Sequence, residues 1–170
     1  MKYYMNKMMV DLIRKTPYKR ISLPKKLLAI LEEGIVEIND CVFFRYFYYA
    51  NPHLTDSQFT DKTEYEHSVN DFHFDDYCRN SNINHVFMFV SRLEKIVNEW
   101  NNSIPITIII SSDNDDISFS FITLHEKEIP WINPSEINCY QQPIMIIEVN
   151  TREKLGEEHS NANKENNYGL

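Results

Sequence analysis

Between Ile104 and Val149 the chain concentrates three runs whose composition suits strands. Pro105-Ile-Thr-Ile-Ile-Ile-Ser111 is β-branched and nearly all apolar. Ile117-Ser-Phe-Ser-Phe-Ile-Thr-Leu124 alternates with period two, apolar on one face and hydroxyl-bearing on the other. Ser112-Asp-Asn-Asp-Asp116 separates them with turn chemistry that uses no glycine. After a helical or looped crossing, Pro143-Ile-Met-Ile-Ile-Glu-Val149 supplies a third run, apolar enough for a central or doubly covered position. These runs predict the core of a sheet, and the rest of the chain must cover it.

Helix signals supply that cover. Ile83, Val86, Phe87, Val90, Leu93, Val97 and Trp100 recur at three- and four-residue steps, with Arg92, Glu94, Lys95 and Glu99 opposite, and Asn101-Asn102 close the pattern. Ser22 as an N-cap, Pro24 in the first turn and Gly34 as the C′ residue bracket a second helix over Leu23 to Glu33. Met1, Met5, Met8 or Met9, Leu12 and Ile13 suggest a third over residues 1 to 15. Ile35 to Ile38 and Cys41 to Tyr49 read as two strands around an Asn39-Asp40 turn. From Asn51 to about Asn82 the chain is polar and aperiodic, which predicts a long loop. The fold expected is α+β: an antiparallel-dominated sheet from roughly 35 to 49, 105 to 124 and 143 to 149, with two or three helices packed on it. One domain over residues 1 to 150, followed by a disordered polar tail over 151 to 170, fits a chain of 170 residues.

Composition removes several function classes. Three glycines, Gly34, Gly156 and Gly169, cannot build a phosphate-cradling loop. Cys41, Cys78 and Cys139 are odd in number and widely spaced, as reduced thiols rather than a disulfide framework. No leader peptide and no membrane span is expected, which places the protein in the cytoplasm. His67, His73, Asp75, Asp76 and Cys78 have ligand chemistry, but no paired Cys-x-x-Cys or second His pair completes a zinc pattern, so no metal or cofactor is expected. His125-Glu126 lacks the histidine that a zincin helix would place at position 129, which is isoleucine.

Charge is distributed unevenly. Residues 1 to 50 hold nine Lys/Arg against five Asp/Glu, whereas 51 to 170 hold eight against twenty, within a net charge of −8. The basic third, with Tyr3, Tyr4 and Tyr18 interspersed, has the composition of a nucleic-acid patch, but the acidic remainder repels phosphate and no nucleic-acid partner is expected. In 51 to 82, seven carboxylates interleave with Phe59, Tyr65, Phe72, Phe74 and Tyr77. Those aromatics either pin the segment to the core or, with the acids, dock on a basic protein surface. Trp131, held between Pro130 and Pro134 and flanked by Glu126, Glu128 and Glu136, is either a plug over the sheet or an interface anchor.

The segment ISFSFITLHEKEIPWINPSEINCYQQPIMIIEV, a strand, a Trp-bearing acidic linker and a closing apolar strand, resembles the C-terminal part of bacterial immunity proteins that neutralise polymorphic toxins, including those of contact-dependent growth inhibition. The similarity covers about Ile83 to Val149. It implies a small, acidic, cytosolic α+β protein without catalytic activity that binds a cognate toxin domain, often a cationic nuclease. The carboxylates and the anchor expected to carry that contact are Asp71, Asp75, Asp76, Asp113, Asp115, Asp116, Glu126, Glu128 and Trp131. Two other functions are compatible with the residues: a nucleic-acid-binding regulator using the basic third, and a small metal-dependent hydrolase using His67, His73 and Cys78.

Overall fold

The computed structural model describes residues 1–101, 104–113, 116–125 and 128–150; the tail at 151–170 lies outside them. In chain order the elements are β1 (Lys2–Met5), α1 (Lys7–Lys15), α2 (Lys25–Glu33), β2 (Ile35–Ile38), β3 (Cys41–Phe44), α3 (Arg45–Ala50), α4 (Lys62–Asn70), β4 (Phe72–His73), α5 (Phe74–Tyr77), α6 (Ile83–Asn101), β5 (Ile106–Asp113), β6 (Asp116–Thr123) and β7 (Ile144–Val149). Short 3₁₀ turns occupy Asp56–Gln58 and Pro134–Cys139. The protein is α+β. A five-stranded sheet runs in the order β1-β7-β5-β6-β4, with every pair antiparallel, and β2-β3 forms a separate hairpin.

The three apolar runs form the sheet's centre, and β7 lies between β1 and β5 with Ile144 to Ile147 all buried. Ile106, Ile108, Ile110, Ile117, Phe119, Phe121, Met145, Ile147 and Val149 point into the main core. The other face is covered in part by Ile137 and Ile132 of the crossing segment, packed on Ile144 and Ile146. Phe44 stands at the middle of the core, with ring centroids 4.8 Å from Phe121 and 5.9 Å from Phe89, both edge-to-face. Helix α6 spans the residues that its periodicity predicts, and α2 ends at Gly34, whose φ of +73° suits glycine. Pro24, not Ser22, holds the N-cap position of α2, without a side-chain bond. Asn39 and Asp40 both have positive φ, the type I′ turn geometry that joins short antiparallel strands.

Four features depart from the sequence reading. Residues 1 to 15 are a strand and then a helix: Asn6 breaks the segment, accepting from Met9 N–H (2.9 Å) as N-cap and from Ile144 N–H (3.1 Å), while donating to the Gln142 carbonyl (2.7 Å). The chain does not remain extended to Tyr49. It coils at Arg45 so that Phe47 enters the core, and Asn51 closes α3 on the Phe47 carbonyl; packing overrides the β preference of the aromatics. The 35–44 region is not part of the main sheet, because α4 stands between β3 and β6. Finally, 51 to 82 is not a loop. Its aromatics pin it to the core: Phe72 and Phe74 are buried, and Phe59 stacks on Tyr65.

Candidate functional site

Helix α4 joins the two sheets through side chains. Strands β3 and β6 each turn an unpaired backbone edge toward it, and Glu66 and Asn70, four residues apart on one helix face, fill the gap. Asn70 Oδ1 accepts from Phe44 N–H (2.9 Å), and its amide donates to the carbonyls of Val42 (2.9 Å) and Phe121 (3.0 Å). Glu66 Oε1 accepts from Val42 N–H (2.6 Å) and the Thr123 hydroxyl (2.8 Å); Oε2 accepts from Thr123 N–H (2.6 Å) and lies 3.2 Å from His125 Nε2. Both side chains are fully buried. Unmet groups on buried strand edges cost about 1–3 kcal/mol each, so these two residues do the work of a missing strand.

Cys41, Glu66 and His125 bring their ligand atoms within 4.8 Å of one another, the one such trio among the described residues. Their chemistry suits zinc, but the carboxylate does not. It has about four acceptor positions, and four donors already take them. Burial, followed by the Glu66 charge, pushes the Cys41 thiol up to about 12, so it is neither a ready metal ligand nor a ready nucleophile. Donating a hydrogen bond to the Glu66 carboxylate raises the pKa of His125 above its ordinary value. The trio is a structural joint.

Glu128 has a similar task. Its carboxylate accepts from Thr63 N–H (2.9 Å), the Thr63 hydroxyl (2.5 Å) and Lys62 N–H (3.3 Å), capping α4 alongside Asp61. Burial pushes its pKa up, but the bonds from Thr63 and Lys62 outweigh that and hold it below the usual range. His125, Glu128 and Trp131 edge a recess of about 130 Å³, below the roughly 300 Å³ at which small-molecule pockets begin.

On the surface, six residues from four parts of the chain meet. Trp131, 42% exposed, stacks on His67 with centroids 4.1 Å apart. Burial lowers the pKa of His67, against the opposing pull of Asp71 one helical turn on at the end of α4. Asp71 in turn has its pKa raised, first by burial and then by Asp116, against the lowering effect of His67 and His73. His73 Nδ1 lies 2.5 Å from Asp116 Oδ2, and Asp113 pairs with Asp116 across the β5-β6 hairpin. Asp116 Oδ1 is buried with no hydrogen-bond partner among the described residues. The face therefore runs from Trp131 through His67, Asp71 and His73 to Asp116 and Asp113.

Of the residues expected at an interface, Asp71, Asp113, Asp116 and Trp131 share this face. Glu128 is turned inward as a cap. Asp75 accepts from the Ser81 hydroxyl (2.5 Å), and no ion pair or hydrogen bond among the described residues ties Asp75 or Asp76 to the others. Asp115 and Glu126 lie outside the described residues. The His67, His73, Asp75, Asp76 and Cys78 set is not assembled: His67 goes to Trp131, His73 to Asp116, and Cys78 is buried. Sequence reasoning missed the Glu66–Asn70 pair, although Asp61 with Glu64 three residues later is a helix-start signature.

The chain combines an α+β framework, a saturated buried carboxylate and an acid-and-aromatic face. The chain belongs to the Uncharacterized protein PM0498 family, whose model matches residues 4–163. It is similar to Uncharacterized protein PM0498 of Pasteurella multocida (strain Pm70), 30% identical over 158 residues, covering 86% of this chain and 99% of that protein. No solved structure matches it. No helix among the described residues is long and apolar enough to cross a membrane.

Proposed function

We propose that this protein is a non-enzymatic immunity protein. It binds a cognate bacterial toxin in the cytoplasm, the best-fitting partner being a cationic nuclease domain, and neutralises it through the Trp131-to-Asp113 face. The observation that carries this reading is the meeting of Trp131, Asp71, Asp116 and Asp113 on one surface, from a linker, a helix end and a hairpin. A half-exposed tryptophan supplies desolvated contact area, and carboxylates beside it select a basic partner and stand in for substrate phosphates. The resemblance of Ile83 to Val149 to immunity proteins supports the same partner class. The inert Cys41 thiol and the saturated Glu66 speak for binding over catalysis.

The test is co-purification and calorimetry with the toxin domain encoded beside the gene. Nanomolar binding is expected. Trp131→Ala should weaken it about 30-fold, the loss typical of a hot spot. Asp71→Asn with Asp116→Asn should slow association and flatten its salt dependence. Failure to bind or protect against any such domain, or binding untouched by all three substitutions, overturns the reading.

A further inference from the structure

A second surface, built from segments of the chain other than those of the acidic face, has the opposite charge. The segment between α1 and α2 runs beside α6 and leaves a groove of about 400 Å³. Lys19 and Arg20 line one wall, and Arg92 and Lys95 line the other. No carboxylate lines it, and none lies within ion-pair distance of these four cations among the described residues. Tyr18, 87% exposed, and Phe87, 36% exposed, flank the cations. The wall is fixed in place: the buried Asn84 at the start of α6 donates to the Pro17 carbonyl (3.1 Å). Along α6 the groove extends over twelve residues, from Asn84 to Lys95, a rise of about 16 Å.

We infer that this groove binds single-stranded nucleic acid, its phosphates on Lys19, Arg20, Arg92 and Lys95 and a base stacked on Tyr18. An acidic peptide would match the charge equally. It would leave unexplained an exposed ring beside a groove lined by cations on both walls, the pairing with which proteins hold single strands without reading their sequence. The net charge of −8 argues against nucleic acid for the molecule as a whole, but phosphate within a Debye length of about 8 Å responds to the local groove. This site is independent of the toxin-binding reading and shares no residue with it.

The experiment is fluorescence anisotropy of the full chain with a labelled oligothymidylate of about twelve nucleotides, across salt, with an oligoglutamate peptide as competitor. Four phosphate contacts predict a log–log salt slope of about −3, equivalent to about 50-fold weaker binding at 200 mM than at 50 mM salt. Arg92→Glu with Lys95→Glu should abolish binding. Tyr18→Ala should weaken it at least about five-fold with the salt slope unchanged. All three side chains are on the surface, so circular dichroism should show intact folding. No binding at 20 mM salt would overturn the inference, as would binding insensitive to the double charge reversal. Displacement by oligoglutamate at equal charge concentration, with no effect of Tyr18→Ala, would assign the groove to acidic protein instead.

Discussion

Replacing Glu66 with glutamine tests the joint between the two sheets most directly, because shape is preserved and only acceptor capacity changes. The carboxylate receives two donors on each oxygen: Val42 N–H and the Thr123 hydroxyl on one, Thr123 N–H and His125 on the other. In Glu66→Gln one oxygen can still serve two donors, but the amide nitrogen is itself a donor and must face the other two. Each buried donor left without an acceptor costs about 1–3 kcal/mol, and the loss of charge weakens the remaining bonds. The sum is about 4 kcal/mol, a large part of the 5–15 kcal/mol by which domains are stable. With an m-value of about 2 kcal/mol/M, the urea midpoint should fall by about 2 M, and Tm by about 8–16 °C. Urea unfolding followed by tryptophan emission and far-UV circular dichroism measures it. Should Glu66→Gln be too unstable to purify, Thr123→Val removes the hydroxyl, which donates to Glu66 and lies 3.1 Å from His125 Nε2, and should cost about 1–2 kcal/mol. A Glu66→Gln protein within 1 kcal/mol of wild type would falsify the claim that this carboxylate replaces a strand.

Other outcomes follow from the same contacts. Asn70→Ala leaves Phe44 N–H and the Val42 and Phe121 carbonyls unmet; it should destabilise by about 3–5 kcal/mol and speed amide exchange at Val42 and Phe44 beyond that in α6. His125 has a folded pKa above the unfolded 6.5, so its contribution is fully present below 6.5 and disappears as pH rises through the folded value. The stability difference between wild type and His125→Asn should therefore be larger at pH 5.5 than at pH 9, and a difference that grows with pH refutes the assignment. His67 has the opposite sign, its pKa being lowered by burial; its stabilising effect is present above 6.5 and fades as pH falls, and a nuclear magnetic resonance titration should find its midpoint below that of a free histidine. Of the thiols, Cys139 is exposed while Cys41 and Cys78 are buried, so iodoacetamide should label Cys139 alone in the native protein; rapid native labelling of Cys41 would contradict its raised pKa.

What could be read from the sequence depended on which kind of surface an element packs against. Helix α6 and the three core strands meet side chains, so their apolar periodicity reports their faces directly, and their bounds in the structure agree within a residue or two. Helix α4 meets backbone. Its inward positions Glu66 and Asn70 are polar because they answer N–H and C=O groups on strand edges, and Thr63 because its hydroxyl donates to Glu128, so the hydrophobic pattern that identifies helices is absent where the helix matters most. The same logic hid β1, since the buried Asn6 turns strand into helix with hydrogen bonds that leave no trace in the spacing of the methionines. The acidic face divided for a related reason. Composition identified carboxylates without showing which ones the fold itself consumes; Glu128 looked like an interface acid and is a helix cap, while Asp71, Asp113 and Asp116 remain on the outside.

The two uses of carboxylate in this chain are linked by α4. Its start is held by Glu128, its middle spans the sheets with Glu66 and Asn70, and its far end presents His67 and Asp71 beside Trp131. A helix fixed by four or more buried hydrogen bonds cannot rotate to adjust its outer face, so the spacing from Trp131 to Asp116 is set before any partner arrives. Preorganisation of that kind lowers the ordering cost of association. On the toxin-binding proposal, substitutions at Glu66, though buried, should weaken partner binding through the position of Asp71 and His67, as calorimetry with the toxin domain would measure.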